Sequence, residues 1–183
     1  MAAAIFVYVG AEICVSASIP LFLKERYGVD IARVGLFGTG LFFMALTVVR
    51  LGGGVILNWI DPSRFLKLSC AMGLCGLAAL FVPSRSIAIA GFVAIGLGFA
   101  NIFPLVFSAA LERIPSRTND LSALMVTAIV GGAILPPAMG LLADHTTVRT
   151  GLLIPIAGIL YVSAVALLTT RGQEITEPAK LVS

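Results

Sequence analysis

Charged side chains are scarce in this sequence of 183 residues. Asp, Glu, Lys and Arg make up 11% of it, against about 25% in a typical soluble domain. Apolar residues make up 59%, so the chain cannot cover a water-facing surface, and its solvent must be mainly lipid. The net charge of +3 is small and spread along the sequence, which argues against the clustered basic face of a nucleic-acid-binding protein.

Cysteine and histidine are also rare, which limits the chemistry open to the chain. Cys14, Cys70 and Cys75 lie inside apolar runs, and their odd number and spacing predict small hydrophobic side chains. The single histidine, His145, follows Asp144 in a predicted loop. No zinc-protease, nucleophile-elbow or phosphate-loop motif is present. The sequence therefore predicts no enzyme activity, no metal and no cofactor.

Six apolar runs are long enough, or nearly so, to cross a bilayer as helices, which takes about 20 residues. The third run is the shortest and carries Lys67 near its start, whereas the last three contain no charged residue. Together they predict an all-α membrane protein with a transmembrane domain over 1–171 and a polar tail over 172–183. The runs are 2–23, 36–57, 65–82, 87–111, 121–143 and 151–170.

The six runs divide into two triplets with similar interruptions. The second run of the first triplet contains three glycines at 52–54, and the second run of the other contains glycines at 131–132 and prolines at 136–137. Interrupted spans at corresponding places indicate inverted repeats in transporters. The sequence therefore predicts two inverted three-helix repeats. The glycines serve either close helix packing or flexing.

Glu12 is the strongest candidate for function, because it lies at the middle of the first run. An ionised side chain there costs at least about 3 kcal/mol and marks a functional site by default. Tyr8 and Ser16 lie one turn before and after it, so the three form a polar stripe on one helical face. The stripe could line a cavity as a proton or cation site, or it could lock helix packing.

Arg50 and Asn101 are the other intramembrane polar residues of note. If the first two runs are antiparallel helices, Arg50 lies at a depth similar to that of Glu12. It could pair with Glu12 or reach the membrane interface, and both alternatives remain open. Asn101 lies in the middle of the fourth run, and its amide suits a sugar hydroxyl or an interhelical hydrogen bond.

Several sequence strings resemble the C-terminal half of the fucose/galactose/glucose symporter family, which belongs to the major facilitator superfamily. The strings are YVGAE at 8–12, NIFPLVFS at 101–108, ALERIP at 110–115, GGAILPP at 131–137 and GLLAD at 140–144. The resemblance extends over most of the chain, from about residue 6 to residue 171.

The resemblance implies one half of a sugar transporter of 12 helices that is coupled to protons or sodium and works by alternating access. In that family the first and fourth helices of each half line the central cavity. This places Tyr8, Glu12, Ser16, Asn101 and Ser108 toward the substrate, with Arg50 as a further candidate.

The six N-terminal helices of that family have no counterpart in this sequence. Because the two halves of the superfamily are parallel repeats, a parallel homodimer could replace the complete transporter, and a second six-helix chain is the alternative. A non-transporting membrane module is a further hypothesis. Loop Lys and Arg divide almost evenly between the two sides, and Arg50 tips the balance toward a cytoplasmic N-terminus. The expected location is the bacterial inner membrane.

Overall fold

The structure, a computed structural model, describes residues 1–31 and 36–174, with side chains through residue 168. All regular elements in these ranges are helical. Of the predicted tail, residues 172–174 extend the last helix, and the remainder lies outside the described residues. The helices are α1 (Ala2–Tyr27), α2 (Leu36–Ile56), α3 (Pro62–Ala79), α4 (Arg85–Phe99), α5 (Ile102–Arg113), α6 (Thr118–Thr127), α7 (Gly131–His145), α8 (Val148–Gly151) and α9 (Leu153–Glu174).

The helices form six consecutive segments: α1, α2, α3, α4 with α5, α6 with α7, and α8 with α9. Within the described residues, all segments but α3 are long and apolar enough to span a membrane. The third segment, α3, has 18 residues, fewer than the 21 to 31 of the other segments, and Arg64 and Lys67 make it more polar than they are. The predicted all-helical architecture of six segments is thereby confirmed, with the third the least apolar.

The six segments pack as two triplets that exchange partners. The first segment, α1, packs mainly against α7 and α9, the second and third segments of the other triplet. Correspondingly, α4 packs mainly against α2 and α3 of the first triplet. A twofold axis that relates two inverted three-helix repeats produces this exchange, in agreement with the repeat predicted from the sequence.

Glycines allow the closest helix contacts, because a side chain there would collide with backbone. A Cβ added to Gly76 in α3 would lie 2.7 Å from the carbonyl oxygen of Gly91 in α4. A Cβ added to Gly131 in α7 would lie 2.7 Å from the carbonyl carbon of Phe6 in α1. The glycines at 131–132 therefore serve close packing, and no flexing is needed to explain them.

A set of polar contacts, here called the end clamp, ties three segments together at the membrane face opposite Met1. Glu25 at the end of α1 accepts a hydrogen bond of 3.1 Å from the backbone N–H of Val148 at the start of α8. Arg149 donates a hydrogen bond of 3.0 Å to the carbonyl oxygen of Phe81, just after α3. Its guanidinium also lies 4.7 Å from the centre of the Phe81 ring, a favourable cation–π distance.

Candidate functional site

The fourth segment is interrupted between α4 and α5, at residues 99–101, here called the helix break. Asn101 has backbone angles of φ −113° and ψ 4°, outside the helical region, and it precedes the first turn of α5. Pro104 lies four residues after Ala100 and has no N–H to donate to the Ala100 carbonyl. The break therefore leaves backbone acceptors in the middle of an apolar segment, where an unsatisfied carbonyl is costly.

Side chains from α1 and α2 satisfy two of these acceptors. The hydroxyl of Tyr8 donates a hydrogen bond of 2.6 Å to the carbonyl oxygen of Phe99. The Nε–H of Arg50 donates a hydrogen bond of 2.8 Å to the carbonyl oxygen of Ala100. Tyr8 is fully buried, and its ring packs edge-on against that of Phe99. The break is thus held from both sides by neighbouring segments.

Glu12 and Arg50 form an ion pair beside the helix break. The distance from Arg50 Nη2 to Glu12 Oε2 is 3.8 Å, and 43% of the Arg50 side chain is exposed, against 14% for Glu12. The two alternatives for Arg50 are therefore resolved in favour of the pair with Glu12. Because opposite charges partly compensate, the pair lowers the penalty of placing either group inside a membrane.

Asn101 is held against α2 by its amide. Its Nδ2 donates a hydrogen bond of 3.0 Å to the carbonyl oxygen of Val49, and only 5% of the residue is exposed. Gly53 forms the other wall: a Cβ added there would lie 2.8 Å from Asn101 Cγ, whereas one added to Gly52 or Gly54 would contact nothing within 4 Å. Of the three consecutive glycines, only Gly53 is required for this contact.

A cavity of about 370 Å³ lies between α2 and α5 next to the helix break. Its polar lining comes from Arg50, Asn101 and Ser108, and the rest is apolar. A second cavity of about 350 Å³ is lined by Asp61, Glu112 and Arg113, among others. The two cavities share Leu57, Leu105 and Ser108. They therefore form a continuous groove from the helix break toward the membrane face on which Met1 lies.

The structure brings most of the predicted site residues together, with one clear exception. Tyr8, Glu12, Arg50 and Asn101 meet at the helix break, and exposed Ser108 lies further along the same cavity. Ser16 is 8% exposed and donates its hydroxyl to the carbonyl oxygen of Ile13 in its own helix. It does not line either cavity. Of the predicted polar stripe, only Tyr8 and Glu12 therefore lie at the site.

The backbone acceptors of the site and the role of Gly53 could not be predicted from residue types. The one available signal was Pro104, because an internal proline leaves the carbonyl four residues earlier without its usual donor. Across the described residues, no group of three His, Cys, Asp or Glu side chains is arranged to hold a metal ion. The groups that the site presents are a guanidinium, an amide and a hydroxyl.

Comparison with known proteins gives relatives among membrane transporters. The chain is 30% identical over 169 residues to the glucose/galactose transporter of Brucella abortus, an alignment covering 92% of this chain and 41% of that protein. It is 27% identical over 155 residues to the L-fucose-proton symporter of Escherichia coli K12, covering 82% and 34%. No protein-family model matches. The chain thus spans about 41% of the length of the first of these relatives.

The fold matches a solved structure as well. The chain superposes on the crystal structure of a Major Facilitator Superfamily (MFS) transporter, FucP, in the outward conformation, with a TM-score of 0.84 and 18% sequence identity. The superposition covers 92% of this chain and 41% of that chain. At this level of identity the match establishes the fold.

Proposed function

Because the chain corresponds to one half of a major facilitator superfamily transporter, we propose that it is a half-sized secondary transporter of sugars. The sugars are hexoses or deoxyhexoses, and transport is coupled to protons or sodium by alternating access. The chain is the counterpart of the C-terminal half of the fold. The proposal agrees with the apolar segments, which indicate an integral membrane protein. It also agrees with the relatives, which are named as transporters and not as enzymes.

The observation that carries this proposal is the cavity beside the helix break. Within an apolar segment, it presents a guanidinium, an amide and a hydroxyl from Arg50, Asn101 and Ser108. Polar groups at this depth are rare and face substrate pathways. Discontinuous helices supply such sites in transporters, because their freed backbone groups and adjacent side chains can contact a ligand.

The substrate class follows from the relatives and is compatible with the cavity. Relatives are named as transporters of glucose, galactose and fucose. The cavity volume of about 370 Å³ lies within the range of small-molecule sites. Glu12 is the candidate residue for ion coupling, because its carboxylate is the acidic group that contacts Arg50 at the cavity wall.

A second six-helix body is part of the proposal, and we favour a parallel homodimer. The guanidinium of Arg50 is half-exposed, and a charge facing lipid at this depth is costly. Only 22% of the apolar stretch of α2 is buried inside the molecule, as is 22% of the stretch formed by α6 and α7, against 56% for α1. A second copy placed against α2 closes the open groove and shields Arg50. A different six-helix chain is the alternative partner.

The proposed location is the bacterial inner membrane, with the N-terminus in the cytoplasm. The groove from the helix break leads toward the face on which Met1 lies. With this orientation, the end of the groove lined by Asp61 and Glu112 lies on the cytoplasmic side.

Uptake by proteoliposomes tests the proposal. Vesicles that contain the pure chain are expected to accumulate radiolabelled D-glucose, D-galactose or L-fucose when a proton or sodium gradient is applied. Asn101→Leu is expected to reduce uptake about tenfold through loss of its hydrogen bonds, whereas Asn58→Leu, at an exposed position outside both cavities, should retain it.

Native mass spectrometry of the same preparation separates the possible failures. A dimer without uptake of any of the three sugars contradicts the transport proposal and favours a non-transporting membrane module. A monomer without uptake contradicts the homodimer and directs the search to a second six-helix chain.

A further inference from the structure

The orientation of the Asn101 amide follows from its partner. The carbonyl oxygen of Val49 can only accept, so the group 3.0 Å from it must be the NH2 of Asn101. A Cβ added to Gly53 would lie nearer to the amide oxygen than to the amide nitrogen, and Gly53 and Asn101 both line the cavity. Of the two polar atoms of the amide, the oxygen is thus the nearer to this cavity-lining glycine, and an amide oxygen accepts hydrogen bonds and cannot donate them.

Arg50 supplies the opposite polarity. Its Nε–H is used by the carbonyl of Ala100, and its Nη2 lies toward Glu12. A guanidinium has five N–H donors and no acceptor, so donors remain for a ligand in the cavity. Because the charge of Arg50 is balanced by Glu12, the wall as a whole does not favour a net anion.

We propose that this cavity selects a neutral polyhydroxylated ligand by hydrogen-bond direction. One ligand hydroxyl donates to Asn101 Oδ1, and another ligand oxygen accepts from the Arg50 guanidinium. The proposal rests on the sugar function above and adds which direction each bond takes. A ligand group that can only accept is rejected at Asn101, because two acceptors repel and the buried amide oxygen is left without a donor.

Deoxy and deoxyfluoro analogues of D-glucose and D-galactose distinguish the two bond directions. Fluorine can only accept weakly, so it replaces an accepting hydroxyl better than hydrogen does and a donating hydroxyl no better. Affinities of the full chain in detergent are measured by isothermal titration, one ring position at a time. At one position, we expect both the deoxy and the fluoro analogue to bind about tenfold more weakly than the parent sugar.

The same series on Asn101→Leu assigns that position to Asn101. In this variant the loss at that hydroxyl should shrink to less than about twofold, because the acceptor has been removed. In Asn58→Leu, a control outside both cavities, the loss should stay as in the unsubstituted chain. D-galacturonate, an anion of the same shape, should bind no more tightly than D-galactose.

Four results overturn the proposal. The first is a fluoro analogue that keeps the affinity of the parent sugar at the position sensitive to Asn101, and the second is a series with no position at which both analogues lose affinity. The third is an Asn101→Leu variant in which the analogues lose as much affinity as in the unsubstituted chain. The fourth is tighter binding of D-galacturonate than of D-galactose. The comparison of fluoro with deoxy analogues on the unsubstituted chain stands even if the variant fails to fold. If neither D-glucose nor D-galactose binds, the proposed sugar function itself is overturned. This outcome differs from the four above, in which a parent sugar binds but the proposed bond directions are wrong.

Discussion

At the scale of single residues, the site depends on small differences between neighbours that look alike in the sequence. The glycines at 52–54 illustrate this, because they differ only in what lies beside them. Gly53 faces the Asn101 amide, and the other two face open space. The backbone position, and not the residue type, decides which of them matters.

Gly53→Ala is expected to weaken sugar binding about tenfold or more, because its Cβ would lie 2.8 Å from Asn101 Cγ and displace the amide. Gly52→Ala is the matched control in the same helix, since its Cβ contacts nothing within 4 Å. It should retain binding and gain up to about 1 kcal/mol from the better helix propensity of alanine. Titration calorimetry and thermal unfolding in detergent measure both effects. Equal binding by the two variants contradicts the role given to Gly53.

Tyr8→Phe is expected to destabilise the chain by about 1–3 kcal/mol, because it removes the donor to the buried Phe99 carbonyl. Tyr161→Phe provides the control, since Tyr161 is 43% exposed on α9. The midpoint of thermal unfolding in one detergent compares the two. If both variants unfold at the temperature of the parent chain, the hydrogen bond from Tyr8 does not hold the helix break.

At the scale of elements, Pro104 decides whether the fourth segment is one helix or two. Pro104→Ala restores an N–H that can bond to the Ala100 carbonyl, in competition with Arg50. We expect α4 and α5 to join, with slower hydrogen exchange of the amides of Phe103 and Leu105 and weaker sugar binding. Pro20→Ala in α1 is the control, because it also removes an internal proline but lies away from the break. Unchanged exchange in Pro104→Ala contradicts this account.

Gly131 allows the close contact between α1 and α7. Gly131→Ala places a Cβ against the backbone of Phe6 and is expected to cost about 1–3 kcal/mol of stability. Gly140→Ala in the same helix has open space around its Cβ and should be neutral or slightly stabilising. Denaturation monitored by circular dichroism distinguishes them. Similar stabilities of the two variants would show that α1 and α7 can separate freely at this point.

The sequence predicted the elements better than their interruptions. Apolar runs locate the segments because a bilayer requires about 20 such residues. The break at Ala100 and the 3₁₀ turn at Ala128–Val130 lie inside predicted spans that contain no charged residue. Hydropathy measures side chains and does not register a missing backbone hydrogen bond, so these interruptions could not be located from it.

For the site, the polar side chains could be predicted from the sequence, but the backbone groups that they contact could not. Glu12, Arg50 and Asn101 could be predicted, because polar groups are costly in a membrane and need partners. Their partners could not, because the carbonyls of Val49, Phe99 and Ala100 are common to every residue type. Ser16 had the same signal as Tyr8 but is satisfied by its own helix, as serine often is.

At the scale of the whole molecule, the proposed homodimer has a testable geometry. Leu51 on α2 is 79% exposed and Leu168 on α9 is 70% exposed, yet only α2 should face a second copy. With the native cysteines replaced by alanine, Leu51→Cys is expected to form a disulfide-linked dimer in membranes on mild oxidation, and Leu168→Cys is not. Non-reducing electrophoresis reads the result. Equal crosslinking at both positions contradicts a dimer through α2.

The end clamp bears on how such an assembly can move. It ties α1, α3 and α8 at the face opposite Met1 through Glu25 and Arg149, whereas the groove is open toward the face on which Met1 lies. Three of the six segments are therefore fixed to one another at one end. Alternating access in the proposed transporter then requires rocking between two such bodies, as in transporters built from paired repeats.

The pair of Glu12 and Arg50 also has a consequence for biogenesis. Either charge alone in the centre of a helix raises the free energy of insertion from the translocon by about 3 kcal/mol. Paired across α1 and α2, as at their separation of 3.8 Å, the two charges compensate each other. The first two helices should therefore leave the translocon together as a hairpin, with each helix acting as an insertion aid for the other.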